Sequence, residues 1–329
     1  MTPRRALRVG LIGAGSVAQA AHLPILSAST DVDIVGLVTA TEESARRSLQ
    51  RWPIRQHFDN AKEMISAGRL DALFVLTPRL THTAFVQLAI DAGVDVFCEK
   101  PLASTAREAW RLADSAAQAG VILMVGFNRR YADVYRKAKT EFADARPQFC
   151  IAQKNRQGSE YRATFENAIH MIDLLRWFCG EPNEVNAHAI GSDPYEERGL
   201  MALIRFESGS VGTLVAARCA GEWDERLDAY GGGTSVRVIA PDAVSVVKKN
   251  VATVTEARSE SFGWVNASAV LGFHAAVEHF LDCVRNRHEP ETNGAEAAKT
   301  QAVLESILAS AGLPLDDAAD GDWVSHAQC

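Results

Sequence analysis

Residues 7–26 read LRVGLIGAGSVAQAAHLPIL, an apolar strand followed by a glycine turn and the start of a helix. The pyrophosphate of a dinucleotide requires that order. Gly13 lets the chain turn sharply off the strand, Gly15 omits the Cβ that would strike the phosphates, and Ala18 is small enough for helix and strand to pack closely. The N–H groups that open the helix then face an anion, which sets Gly13, Gly15, Ser16 and Val17 against the cofactor. A glycine turn alone also serves as a plain strand-to-helix connection. Val9, Leu11 and Ile12 before it and the helix after it supply the context that nucleotide binding needs.

Outward from this turn, apolar runs recur at 34–38, 72–76, 94–98 and 121–125, separated by helical stretches at 82–92 and 105–119. Alternating strands and helices predict a parallel, doubly wound sheet. After Gly126 the pattern changes. A charged helix over 131–142 and an apolar-faced one over 165–179 precede strands at 201–206, 211–218 and 236–239, with short turns such as Glu207-Ser208-Gly209-Ser210. Short turns between consecutive strands predict an antiparallel sheet. Gly231-Gly232-Gly233 reads as a hairpin turn, since no helix follows it to make a phosphate loop. The fold expected is therefore α/β, with a doubly wound parallel sheet in residues 1–125. An α+β domain with a mostly antiparallel open sheet is expected in residues 126–329.

The second strand carries the residue that reads the adenosine ribose. A carboxylate there binds the 2′-hydroxyl of NAD and repels the 2′-phosphate of NADP. Here the strand ends Leu37-Val38-Thr39, so Thr39 takes that place, while Glu42 and Glu43 read as first-turn residues of a helix capped by Thr41. The strand end fits NAD or NADP, with a slight lean to NADP. Arg46 or Arg47 would reach the phosphate on one reading, and both are surface helix residues on the other.

A second signal lies at 94–102, VDVFCEKPL, where a buried strand runs into Glu99, Lys100 and Pro101 and Ser104 or Thr105 caps a new helix. Charged residues at the carboxyl end of a parallel strand sit where open α/β sheets bind ligands. On a third segment Glu166, His170 and Asp173 fall at i, i+4 and i+7, one polar stripe between Ile169, Ile172, Leu174 and Phe178. A structural stripe, with Glu166 favoured by the helix dipole, is the competing reading.

Together, the GAGSVA turn, Thr77-Pro78 followed by His82, CEKP at 98–101, GFNRRY at 126–131, Glu166 with His170, and GFHAAVEHFLDCVRNRHEP at 272–290 resemble the Gfo/Idh/MocA oxidoreductases, over essentially the whole chain. The resemblance implies a Rossmann domain and a substrate-binding, oligomerising domain. It also implies hydride transfer between NAD(P) and a carbinol or carbonyl carbon of a sugar, cyclitol or related polyol, in a homodimer or homotetramer. Thr77, Pro78, His82, Glu99, Lys100, Pro101 and Asn128 join the cofactor-binding residues on this basis, and Lys100, Glu166 and His170 form the catalytic set. Proton chemistry assigns their roles: an imidazole can accept a hydroxyl proton at neutral pH, and an ammonium can stabilise the developing charge on oxygen. Arg129 and Arg156 would bind substrate beside them, as would Arg130 and Lys154, half or more of the four being solvated surface groups on the plainer reading. The chain departs from the family pattern in two places. Glu166 stands where aspartate is usual, and Met171 where many members carry a second aspartate. An NAD-dependent glycosidase using transient oxidation and a catalytically silent nucleotide sensor share the same fold; retention of Lys100 and His170 argues against the sensor.

Composition narrows the classes without choosing among them. In 329 residues with 47% hydrophobic and 23% charged content, two domains are expected. The net charge of −7 and the lack of a basic, aromatic-interleaved patch argue against nucleic acid. Six scattered cysteines, with no CxxC and no Cys/His cluster at metal-ligand spacing, predict no metal and a reducing, cytoplasmic setting. No apolar run reaches membrane-spanning length.

Overall fold

The computed structural model describes residues 5–158, 164–191, 197–256 and 270–315. The described chain divides into two compact units, one comprising residues up to Gly126 with Phe273–Ala298, the other Phe127–Gly272 with residues 299–315.

In the first unit β1 (Leu7–Ile12), β2 (Val32–Val38), β3 (Ala72–Val75), β4 (Asp95–Cys98) and β5 (Leu123–Val125) pair in parallel, in the order β2-β1-β3-β4-β5. The expected strands are all present, because runs such as Val9, Leu11, Phe74 and Val96 can be fully buried only inside a sheet covered on both faces. Between them lie α1 (Leu23–Ala28), α2 (Glu42–Arg51), α3 (Ala61–Gly68), α4 (His82–Asp91) and α5 (Ala106–Ala119). Short polar side chains start three of these helices, α2, α3 and α5. Thr41 accepts from the Ser44 N–H at 3.2 Å, Asn60 from the Glu63 N–H at 2.8 Å, and Thr105 forms a reciprocal capping box with Glu108. One detail departs from the sequence expectation. The helical run after the glycine turn contains a π-helical turn, Ala18–His22, just before α1.

The second unit is built on an eight-stranded sheet. Its strands are β6 (Phe149–Gln157), β7 (Pro182–Ile190), β8 (Gly199–Phe206), β9 (Val211–Ala217), β10 (Cys219–Gly231), β11 (Thr234–Ile239), β12 (Ala243–Lys248) and β13 (Val251–Glu256). The order is β13-β12-β11-β10-β6-β9-β8-β7, antiparallel throughout except for the β6–β9 pair. Gly232 and Gly233, both at positive φ, make the two-residue hairpin between β10 and β11. One face is covered by α6 (Asp133–Thr140) over β11 and β12 and by α7 (Ile169–Cys179) over β6 and β9. Side chains therefore alternate: Ala202, Ile204 and Phe206 are buried while Met201 and Leu203 are exposed.

The helix α8 (Phe273–Asn286) returns to the first unit, where Phe280 meets Phe74 and Phe97 edge-on at centroid distances of 5.4 and 5.6 Å. Removing such a ring costs about 3–5 kcal/mol in transfer and cavity energy, so this return completes the core. The last helix, α9 (Gly294–Ser310), belongs to the first unit up to Ala298 and to the second from Lys299.

Candidate active site

Every loop that leaves the carboxyl end of a strand in the first unit carries one of the residues singled out in the sequence. The strand order reverses between β1 and β3, which makes their loops the crevice where open α/β sheets bind ligands. These two loops touch. A Cβ on Gly13, whose φ is +95°, would lie 2.5 Å from the Leu76 carbonyl oxygen and 3.1 Å from the Thr77 methyl, so only glycine fits. At Gly15 the reverse holds: a Cβ would meet nothing within 4 Å, and Gly15, Ser16 and Val17 are exposed at the head of the helix. Open space beside unshared helix N–H groups is a cradle for a pyrophosphate, and these residues fit NAD(P). At the end of β2 the Thr39 hydroxyl donates to the Thr41 carbonyl at 2.9 Å. Glu42 and Glu43 lie in the first turn of α2, and Arg46 and Arg47 are exposed.

The loops after β3 and β4 are tied together by His82. This fully buried ring has Nε2 2.7 Å from the Thr77 carbonyl oxygen and Nδ1 2.7 Å from that of Pro101. Both ring nitrogens of His82 are thus directed at the backbone of these two loops. Pro78 is exposed beside it and Thr77 half-buried, its hydroxyl accepting from Thr81 at 2.7 Å. Glu99 points the other way, onto His22. Its Oε1 is 2.7 Å from Nε2 of His22, a fully buried ring in an aromatic box of Phe74, Phe97 and Phe273. Burial alone would raise the Glu99 carboxyl, but the hydrogen bond and charge of His22, with the charge and N–H of Lys100, outweigh it and hold the carboxyl below its ordinary value. Lys100 itself is half-buried at the strand end. The sequence reading passed over His22, whose only signal was a lone histidine in the apolar run AAHLP.

In the second unit, Glu166 lies half-buried in a π-helical turn, Thr164–Ala168, and α7 begins only at Ile169. The single α-helix expected over 165–179 is thus two elements, and such wide turns recur at functional sites. His170 is buried in the first turn of α7, its ring edge-on to Phe127 at 6.3 Å. Asp173, the third member of the stripe, is structural. It receives two hydrogen bonds from Arg130, at 2.8 and 2.7 Å, and a third from Thr300 at 3.1 Å.

Glu225 gathers the other cations. Its carboxylate takes Arg129 bidentately at 2.8 and 3.0 Å, the Tyr135 hydroxyl at 2.9 Å and the Lys154 ammonium, all buried. Burial would raise this carboxyl, yet the Arg129 and Lys154 charges drive it far below the ordinary carboxylate range; burial and Glu225 push the Tyr135 phenol up. Arg129, expected on substrate, is thus one arm of an internal ion network, while Arg156 lies half-buried two residues beyond Lys154 on β6. Asn128 is buried and donates to the Leu271 carbonyl at 2.8 Å.

Residues 7–127 match the oxidoreductase family with an NAD-binding Rossmann fold, and residues 135–237 match the Gfo/Idh/MocA C-terminal domain. YceM of Salmonella typhimurium, a protein named as an oxidoreductase, is 30% identical over 317 residues, which cover 92% of this chain and 97% of YceM. The D-apiose dehydrogenase of Paraburkholderia graminis is 26% identical over 325 residues, covering 92% of this chain and 86% of that enzyme. The crystal structure of the dehydrogenase MviM from Clostridium difficile matches with a TM-score of 0.82 at 26% identity, over 92% of this chain and 99% of that one. Fold, glycine turn and similarity together define an oxidoreductase with an NAD-binding Rossmann unit. The chain belongs to the Gfo/Idh/MocA family.

Proposed function

We propose that this oxidoreductase transfers a hydride between NAD(P) and a carbinol or carbonyl carbon of a sugar, cyclitol or related polyol. The observation that carries the reading is Lys100, set at the carboxyl end of β4 on the same sheet edge as the Gly13–Gly15 cradle. Similarity to the D-apiose dehydrogenase supports the substrate class. The cofactor, when bound, exchanges the hydride, and the chain must supply orientation and a proton path. His170 takes the hydroxyl proton as the general base. Lys100 donates a hydrogen bond to the same substrate oxygen and stabilises its developing negative charge. Glu166 orients a substrate hydroxyl, its extra methylene giving it a longer reach than aspartate. His82 holds the Thr77 and Pro101 carbonyls, and so the loop that carries Lys100.

The proposal extends to assembly and location. Met201 and Leu203 are 57% and 49% exposed on the sheet face opposite α7, and such a face supports a homodimer or homotetramer. Among the described residues no helix is long and apolar enough to cross a membrane, and a cytoplasmic location is proposed.

A panel of polyols and aldoses, followed with both cofactors by nicotinamide absorbance, identifies a substrate. With it, Lys100→Met and His170→Ala should each lower kcat by about 10²- to 10⁴-fold with cofactor affinity nearly unchanged. Near-full turnover in His170→Ala would move the proton path elsewhere and return the polar stripe to a structural role.

A further inference from the structure

Away from every residue given a catalytic or cofactor-binding role, three side chains able to bind metal converge at the end of α8. His279 and Cys283 are one helical turn apart, and His288 follows in the loop after the helix; one ligand atom from each lies within 4.8 Å of the others. Nε2 of His279 is 3.5 Å from the Cys283 sulfur. A tetrahedral zinc ion, with Zn–N of about 2.0–2.1 Å and Zn–S of about 2.3 Å, sets those two atoms about 3.6 Å apart. The pair thus already spans one edge of the tetrahedron. His288 is on the open side, 44% exposed, with its Nε2 3.4 Å from Asp282 Oδ2. It can swing in, and that carboxylate or a water can take the fourth position.

We propose that His279, Cys283 and His288 form a site for a thiophilic divalent cation of the zinc class. Two imidazoles and a thiolate are borderline-soft ligands that favour zinc over the hard cations magnesium and calcium. As the metal–sulfur bond forms, the Cys283 thiol releases its proton to water. The Glu291 N–H, which donates to His279 Nε2 at 3.1 Å, gives up that lone pair to the ion. The consequence is mechanical. The loop carrying His288 continues to Thr292, whose backbone carbonyl accepts from the Val125 N–H at 2.8 Å and whose hydroxyl donates to the Val125 carbonyl at 2.8 Å. A bound ion would therefore tie α8 to the loop at the β5 edge of the parallel sheet. The spacing His-x3-Cys-x4-His escapes a search for CxxC or clustered pairs, because only a helix brings its first two members together.

The test uses the full chain, stripped with chelator and titrated with Zn²⁺ and with Co²⁺ as a spectroscopic probe. One equivalent of Co²⁺ should give tetrahedral visible bands and a thiolate-to-cobalt charge-transfer band, and Zn²⁺ should raise the melting temperature. Cys283→Ser should abolish the charge-transfer band. His288→Gln, at an exposed position that leaves the fold intact, should weaken Zn²⁺ at least about tenfold while NAD binding stays as in wild type. Absence of the charge-transfer band in the wild type, or a Zn²⁺ affinity that His288→Gln leaves unchanged, would overturn the site.

Discussion

Glu99 in the first unit and Glu225 in the second are both carboxylates drawn below their ordinary titration range, yet their partners differ in kind. Glu99 keeps 12% of its side chain exposed and leans on one imidazole, His22. Glu225 is fully enclosed by a guanidinium, an ammonium and a phenol. An imidazole can exist without charge, and a buried guanidinium cannot. The first arrangement leaves a strand-end carboxylate partly open to solvent, beside Lys100. The second is a fixed clamp joining the turn at Arg129, α6 through Tyr135, and strands β6 and β10. Polar groups at the parallel sheet's edge are held by strand ends and loops; those inside the larger sheet are held by each other.

The largest effect is expected where the clamp loses its anion. Glu225→Gln keeps the shape and takes away the buried carboxylate that Arg129 and Lys154 share, which should cost about 3–5 kcal/mol, read from the denaturant midpoint. A loss below about 1 kcal/mol would mean that the two cations do not depend on this carboxylate, and the contrast with Glu99 would collapse.

The acid limb sharpens the same contrast. The folded-state carboxyl of Glu225 lies far below its unfolded value of about 4.5, so its stabilisation is complete above that pH. It is lost as pH falls from there towards the folded value, at up to about 1.4 kcal/mol per pH unit. Glu225→Gln removes this titration. The variant should be the less stable at neutral pH and show the shallower decline below about pH 4.5, measured as unfolding free energy against pH. An unchanged slope would assign the acid sensitivity to other groups.

Glu99→Gln should cost less, about 1 kcal/mol, because a glutamine amide still reaches His22 and no permanent cation is stranded. The same denaturant titration reads it. Equality with the Glu225 variant would show that the imidazole is as demanding a partner as the guanidinium.

What the sequence disclosed follows from where its information is local. The strands of the parallel sheet, the glycine turn, the caps at Thr41 and Thr105 and the Gly231-Gly232-Gly233 hairpin each rest on a few adjacent residues with one cheap conformation. The partners were not legible. Arg129 meets Glu225 across 96 positions and His22 meets Glu99 across 77, and nothing in local periodicity records which charge a buried charge will find. The same limit hid α8, whose amphipathic pattern shows that one face is buried but not that Phe280 lies on Phe74 and Phe97. The π-helical turns at Ala18–His22 and Thr164–Ala168 were invisible for another reason: one extra residue in a turn leaves the apolar pattern on either side intact.

The smallest effect tests the edge of the parallel sheet with a third carboxylate, one given no buried partner. Thr39 is half-exposed at the end of β2, its hydroxyl turned back to the Thr41 carbonyl. An aspartate there would remain solvated, unlike Glu99 or Glu225, so its effect on stability should be slight. Its effect on cofactor choice should be visible: the charge repels a 2′-phosphate and offers an acceptor to a 2′-hydroxyl. Through partly screened solvent that contrast is worth on the order of 1 kcal/mol, roughly fivefold in the ratio of NAD to NADP affinity, in favour of NAD. Titrating both cofactors into wild type and Thr39→Asp measures it directly. If the ratio stays fixed while both affinities are measurable, Thr39 does not face the ribose, and the cofactor's adenosine end must be read by other residues near the end of β2.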